Sequence, residues 1–206
     1  MTSVPGWRLP PATLRFHPAM PSRAGTHAFK SLRTHGPYDN SQLHLRDGSL
    51  LFVFPQAERQ LARRLADSLL NGVGSYPGFG ELFQVDVAMG DALKSHTVDT
   101  DLGDLPSAAR AYRDSIGEWN RQARDREPDV AIVLVPHSER FETESPYYEA
   151  KAAFANLGIP TQMVTTQLLR DERQFHWSVA NIALAVFAKL GGVPWAVAAP
   201  ARLTTT

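Results

Sequence analysis

The sequence predicts an α/β fold: a Rossmann-like parallel sheet flanked by helices, with an irregular N-terminal segment before it and a C-terminal helix after it. Three observations carry that prediction. "VAIVLVP", residues 130–136, is apolar on both faces, as strands inside parallel sheets are. "SLLFVFP", residues 49–55, is a second apolar run, ending at a proline. Strand-like and helix-like stretches alternate four times with short links, the pattern of a parallel sheet with helices on both faces.

The elements follow in order. Residues 1–47 are rich in Pro, His, Arg and Gly and show little periodicity, so they read as an irregular segment packed over the main domain. The sheet domain is expected over 48–170. After "SLLFVFP", the stretch "QAERQLARRLADSLLNG" sets Leu61, Leu65 and Leu69 four apart and ends at Gly72, as an amphipathic helix with a glycine stop. "GVGSYPGFG" reads as a loop; without a following Gly-Lys-Ser/Thr it is no P-loop. "ELFQVDVA", 81–88, alternates like a strand, and the polar residues 88–105 read as a loop. "PSAARAYRDSIGEWNRQARD" carries Ala109, Tyr112, Ile116 and Trp119 on one helical stripe. A helix over 146–157, the strand "IPTQMVT" and a long helix over 174–190 complete the pattern.

Composition sets limits. The chain has 206 residues, 43% of them hydrophobic, so it suffices for one sizeable core. It has no cysteine, which excludes disulfides and thiolate metal sites. Its 21 basic and 21 acidic residues cancel, so any grip on nucleic acid must be local. No apolar run approaches the ~18 residues of a membrane span, and "MTSVPGWRLPP" lacks the apolar core of a secretory signal. A cytoplasmic protein is the expectation.

Chemistry concentrates between 145 and 189. Ser145 suits an N-cap and Pro146 the first helical position. Tyr147 and Lys151, four apart, then share a face near a helix N-terminus, where free N–H groups and the dipole favour a phosphate. Gln162 lies on the next strand among apolar neighbours, where a buried amide needs partners; a glutamine on the solvent side of an edge strand fits the same pattern. On the last helix Val179, Ile182, Ala183, Val186 and Leu190 form a core stripe, while Asn181, Ala185 and Lys189 share another face. That face either looks into a cleft or is solvated. Glu142, Glu144 and Glu149 crowd the helix start, and they would repel a phosphate unless they point outward or help hold a divalent cation.

"SPYYEAKAAFANLGIPTQMVT", followed by "NIALAVFAKLGGVPW", resembles the MID domain and the beginning of the PIWI domain of prokaryotic Argonaute proteins. The match is strong over about 129–196. It is weaker over 25–128, where "GPYD", "LLFVFP" and "YPGFGELF" resemble short prokaryotic Argonautes. The resemblance implies a MID-type domain over 48–170 and the start of a PIWI-like lobe over 171–206. It also implies that Tyr147, Lys151, Gln162 and Lys189 hold the 5′-phosphate of a guide RNA or DNA, with Asn181 contacting the first nucleotides. Ala185 stands where some relatives have a polar residue. The implied partners are a guide strand, a complementary target strand and a PIWI-containing or effector chain. A magnesium ion beside the phosphate is the one cofactor the resemblance admits. The acidic residues that cut targets in active relatives lie beyond the matching stretch, so the resemblance implies no catalytic residues and no cleavage by this chain.

The remaining residues offer less. The seven histidines, at 17, 27, 35, 44, 96, 137 and 176, include no pair at metal-ligand spacing. His137, after the central strand, stands where open α/β sheets place ligand groups. Asp99, Asp101 and Asp104 form an acidic loop. Lys30, Arg33 and His35 form a small basic patch before "GPYD". Two other classes fit the residues: a Rossmann-like small-ligand or nucleotide-binding domain using the His137 cleft, and a protein-interaction domain packing its Lys189 face on a partner. A separation of Lys151 and Lys189 beyond about 15 Å would favour these two, because cations that far apart cannot share a phosphate.

Overall fold

The computed structural model describes residues 12–41, 43, 49–86, 93–122, 127–136 and 145–198. Its centre is a four-stranded parallel sheet, built from β3 (Leu50–Pro55), β4 (Leu93–Val98), β5 (Val130–Val135) and β6 (Thr161–Thr165) in the order β4-β3-β5-β6. β3 and β5 are buried along their whole length, as their unbroken apolar runs require. Among the described residues β6 is an edge strand, paired only with β5, with Ile132 opposite Gln162 and Val133 opposite Met163.

Strand alternation sends the side chains into two cores. Leu50, Phe52, Phe54, Ile132 and Leu134 face one side, with α2 (Arg59–Asn71), α3 (Phe79–Phe83) and α7 (Glu172–Lys189). Leu51, Val53, Val133 and Val135 face the other, with α4 (Leu105–Gln122) and α5 (Pro146–Asn156). On α4, Ala108, Ala109, Tyr112 and Ile116 are buried, and the Tyr112 hydroxyl donates to the Leu134 carbonyl. A short helix, α6 (Thr166–Arg170), links β6 to α7.

Three expectations are corrected. "ELFQVDVA" is not a strand: its first residues belong to α3, whose Phe79, Leu82 and Phe83 are buried, and Gln84 ends the helix in the left-handed region at φ 52°. Residues 87–88 lie outside the described residues. The fourth strand lies instead in the stretch read as a loop, as β4, "LKSHTV". Its polar residues fit an edge position, with Lys94 and Ser95 exposed and only Val98 buried. The N-terminal segment is not irregular throughout. It holds α1 (Ala28–His35) and the two-residue strands β1 (Leu14–Arg15) and β2 (Ala24–Gly25), which form a small antiparallel sheet with β7 (Ala196–Val197).

That small sheet gives "KLGGVPW" and "GPYD" a structural meaning. Gly191, at φ 92°, turns the chain out of α7. A Cβ on Gly192 would come within 2.4 Å of the Phe187 ring, so only glycine fits there. Val193 then pairs with Asp39, the Tyr38 N–H donates to the Pro194 carbonyl, and Trp195 packs on Phe16. The two motifs lie some 150 residues apart in sequence and form one junction. It fixes the C-terminal end of α7, and Lys189 with it.

Candidate functional site

A cleft of about 770 Å³ opens at the β6 edge, between α5 on one face of the sheet and the end of α7 on the other. Tyr147, Lys151 and Ala155, a stripe along the flank of α5, line one wall with Gly158 in the turn beyond the helix. Gln162 and Lys189 form the opposite wall. The structure thus brings together four of the five residues singled out in the sequence.

Each position has a local cause. Ser145 caps α5, its hydroxyl accepting from the Tyr147 N–H at 3.2 Å, and Pro146 occupies the first turn. That corrects one expectation: proline has no N–H and the Tyr147 N–H is engaged by Ser145, so side chains, more than free helix amides, arm the cleft. Tyr147 is half-buried against the α5 core, with its ring edge-on to Tyr148 at 5.3 Å. Tyr148 is exposed and does not line the cleft, so Tyr147 is the tyrosine placed for ligand. The Lys151 ammonium stands 5.5 Å from the Tyr147 ring centroid.

Gln162 is only half-buried, and it points to the α7 side of the sheet, sharing strand parity with Val164. Its carbonyl accepts from Lys189 Nζ at 3.0 Å, and its amide nitrogen donates to the Met163 carbonyl at 3.1 Å. The amide therefore fixes the lysine. Lys189 also reaches the Ala185 carbonyl at 3.5 Å, which leaves one ammonium proton for a ligand. Burial, and then the nearby Lys151 charge, hold the Lys189 pKa below that of an ordinary lysine. Two cations thus crowd one cleft, and an anion between them would relieve that repulsion.

Of the three crowding glutamates, Glu149 turns to α4, 3.8 Å from Arg113, and does not line the cleft. Glu142 and Glu144 lie outside the described residues, as does His137. Among the described residues no carboxylate lines the cleft, and no group of three or more His, Asp or Glu is placed to hold a metal. With the Gln162 carbonyl engaged by Lys189, the described lining presents two ammonium groups, a combination that suits an anion. In the acidic loop, the Asp101 carboxylate accepts from the Gly103 N–H, and that of Asp104 from the Ser107 N–H on α4.

Asn181 is not in this cleft. It sits two turns earlier on α7, exposed, in a second cleft with Lys30, Arg33 and Trp177. The sequence reading noted the basic pair and passed over Trp177. The available signal was its place off the core stripe of α7: an exposed tryptophan has no packing reason to be there.

Fold and site define a class: a Rossmann-like α/β domain with a cleft at its sheet edge lined by two lysines. No protein-family model matches the sequence. The chain is 25% identical over 181 residues to the Argonaute protein of Cereibacter sphaeroides, covering 85% of this chain and 23% of that one. Clostridium butyricum Argonaute, in a structure with a guide DNA and a 19-mer target DNA, superposes with a TM-score of 0.62 at 18% identity, covering 94% of this chain and 25% of its own. Aquifex aeolicus Argonaute superposes with a TM-score of 0.53 at 14% identity, over 91% of this chain and 25% of its own. This is an Argonaute-like chain, and it spans about a quarter of the length of those relatives. Among the described residues no helix is long and apolar enough to cross a membrane.

Proposed function

We propose that the cleft seizes the 5′-phosphorylated end of a guide strand, as the anchoring part of guide-directed defence against foreign nucleic acid, and that this chain itself cuts no target. The observation that carries the reading is the convergence of Lys151 and Lys189. They come from helices on opposite faces of the sheet and line one cleft among whose described residues there is no acid. A terminal phosphate carries about 1.5 to 2 negative charges at neutral pH, which two ammonium groups balance. Tyr147 offers a ring for the first base. Lys189 and Gln162 hold each other in place before ligand arrives, which lowers the ordering cost of binding. The complementary target strand and a PIWI-containing or effector chain are the further partners of this proposal.

Titration with two oligonucleotides of one sequence, one 5′-phosphorylated and one 5′-hydroxyl, tests the reading. The phosphorylated strand is expected to bind at least ten-fold tighter, and equal affinities would sink the proposal. The same titration has a pH signature. Because the Lys189 pKa is depressed, its charge is lost on the alkaline side before that of an ordinary lysine. Affinity should therefore fall as pH rises through that lowered value, and it should also fall below about pH 6, where the phosphate takes up a proton. The hydroxyl strand should show neither limb.

A further inference from the structure

The opposite edge of the sheet carries a further cleft, of about 240 Å³. β4 forms this edge and, among the described residues, pairs only with β3. The outer side of β4 therefore meets no described strand, and an open row of backbone N–H and C=O groups is a template for one more. Leu93 and Ser95 of β4 and Phe52 and Phe54 of β3 form the floor, and Arg59 and Arg63 of α2 stand over it. Both arginines are exposed, and among the described residues neither side chain has a hydrogen-bond or ion-pair partner. No carboxylate lines the cleft. The acids nearest in sequence are engaged elsewhere: Glu58 pairs with Arg170, and Asp67 accepts from the Asn71 amide.

We propose that β4 takes up an extended acidic segment of a partner protein as a fifth strand, with carboxylates on alternate residues of that segment reaching Arg59 and Arg63. The spacings agree. Arg59 and Arg63 are four residues apart on α2, about 6 Å along the helix axis. Alternate residues of a strand share a face and repeat every 6.6 Å or so. α2 leads from β3 towards the parallel β4, so it runs back along the strands and the two repeats lie side by side. In such strand addition the backbone bonds supply affinity and the side-chain pairs supply specificity. A nucleic acid would meet the same cations, but it would leave the strand edge unpaired and find no ring to stack on, since Phe52 and Phe54 are each 4% exposed. A second copy would bring its own exposed Lys94 to an edge that is already basic, and like charges across a strand pair repel. The inference does not depend on the guide-end reading, because the two clefts lie at opposite edges of the sheet.

The test titrates the full chain against a fluorescein-labelled peptide, Thr-Glu-Val-Glu-Val-Thr, followed by anisotropy. Its isomer Thr-Glu-Glu-Val-Val-Thr has the same charge but sends its two acids to opposite faces, and it should bind about five-fold more weakly or worse. Arg59→Ala/Arg63→Ala should weaken the alternating peptide by a similar factor. Its urea midpoint should not change, because both residues are exposed. Two N-methylated forms of the peptide, blocked at odd or at even amides, separate strand addition from charge attraction. Only one set of amides faces β4, so one form should lose binding and the other keep it. The proposal is overturned if the alternating peptide does not bind, if the isomer binds equally well, or if both methylated forms bind like the parent. It is also overturned if Arg59 and Arg63 serve oligo-dT in place of the peptide, or if they hold a concentration-dependent dimer that the peptide cannot displace.

Discussion

Replacing Lys189 with alanine is expected to weaken binding of a 5′-phosphorylated strand by about 1.5 to 3 kcal/mol, the scale of a hydrogen bond to a charged group, or roughly ten- to a hundred-fold. The loss has two sources. The ammonium proton aimed at the ligand disappears, and Gln162 loses the donor that orients it. Lys151→Ala should cost a similar amount through its charge alone, since among the described residues it makes no hydrogen bond beyond its contact with the Tyr147 ring. The two losses should not add, because both lysines share one anion. Lys189→Met separates binding from folding. In the free protein burial and Lys151 disfavour the charged form of Lys189, so its folded pKa lies below its unfolded value. The charge therefore opposes folding at neutral pH, and that opposition fades as pH rises through the lowered pKa toward 10.5. Methionine keeps the stem and removes the charge. Urea unfolding of Lys189→Met should show no loss of stability, while the preference for a phosphorylated end collapses.

The largest structural effect should come from Phe187→Ala, at about 3 to 5 kcal/mol in urea unfolding. Phe187 is fully buried two residues before Lys189. It stacks on Phe83 at 4.1 Å and 9°, and it fills the space that Gly192 leaves beside Leu43. Removing the ring opens a cavity under α3, the end of α7 and the turn after it. α3 and the Gly192 turn bracket that ring from two sides, so the site cannot easily collapse to fill it. A loss below about 1 kcal/mol would show that this junction does not hold α7 in place.

Much of this arrangement was legible in the sequence, for identifiable reasons. β3 and β5 announced themselves because both of their faces are buried, and no surface requirement interrupts the apolar run. Helix periodicity put Tyr147 and Lys151 on one face, but it left Gln162 and Lys189 open between cleft and solvent, and only the family resemblance joined the four into one set. β4 was not legible. "LKSHTV" lies at an edge with mostly part-exposed side chains, so its pairing comes from the β3 backbone and leaves little trace in hydrophobicity. "ELF" was misread because three residues of a five-residue helix fit either period. The junction of "GPYD" with "GGVPW" is a long-range pairing that no local pattern encodes. Trp177 was overlooked because its exposure depends on α1 and the α2–α3 turn standing beside α7 without covering it.

The central claim is that a terminal phosphate lies between Lys151 and Lys189. Phosphorus NMR of a 5′-phosphorylated dinucleotide tests it most directly. With the wild-type chain, the terminal resonance should shift on binding, and its second ionisation should move well below about 6, because two ammonium groups favour the dianion. The internal phosphodiester should move less. In Lys151→Ala/Lys189→Ala the terminal group should titrate as it does free in solution. A wild-type complex in which the bound terminal phosphate keeps its free titration curve would contradict the account.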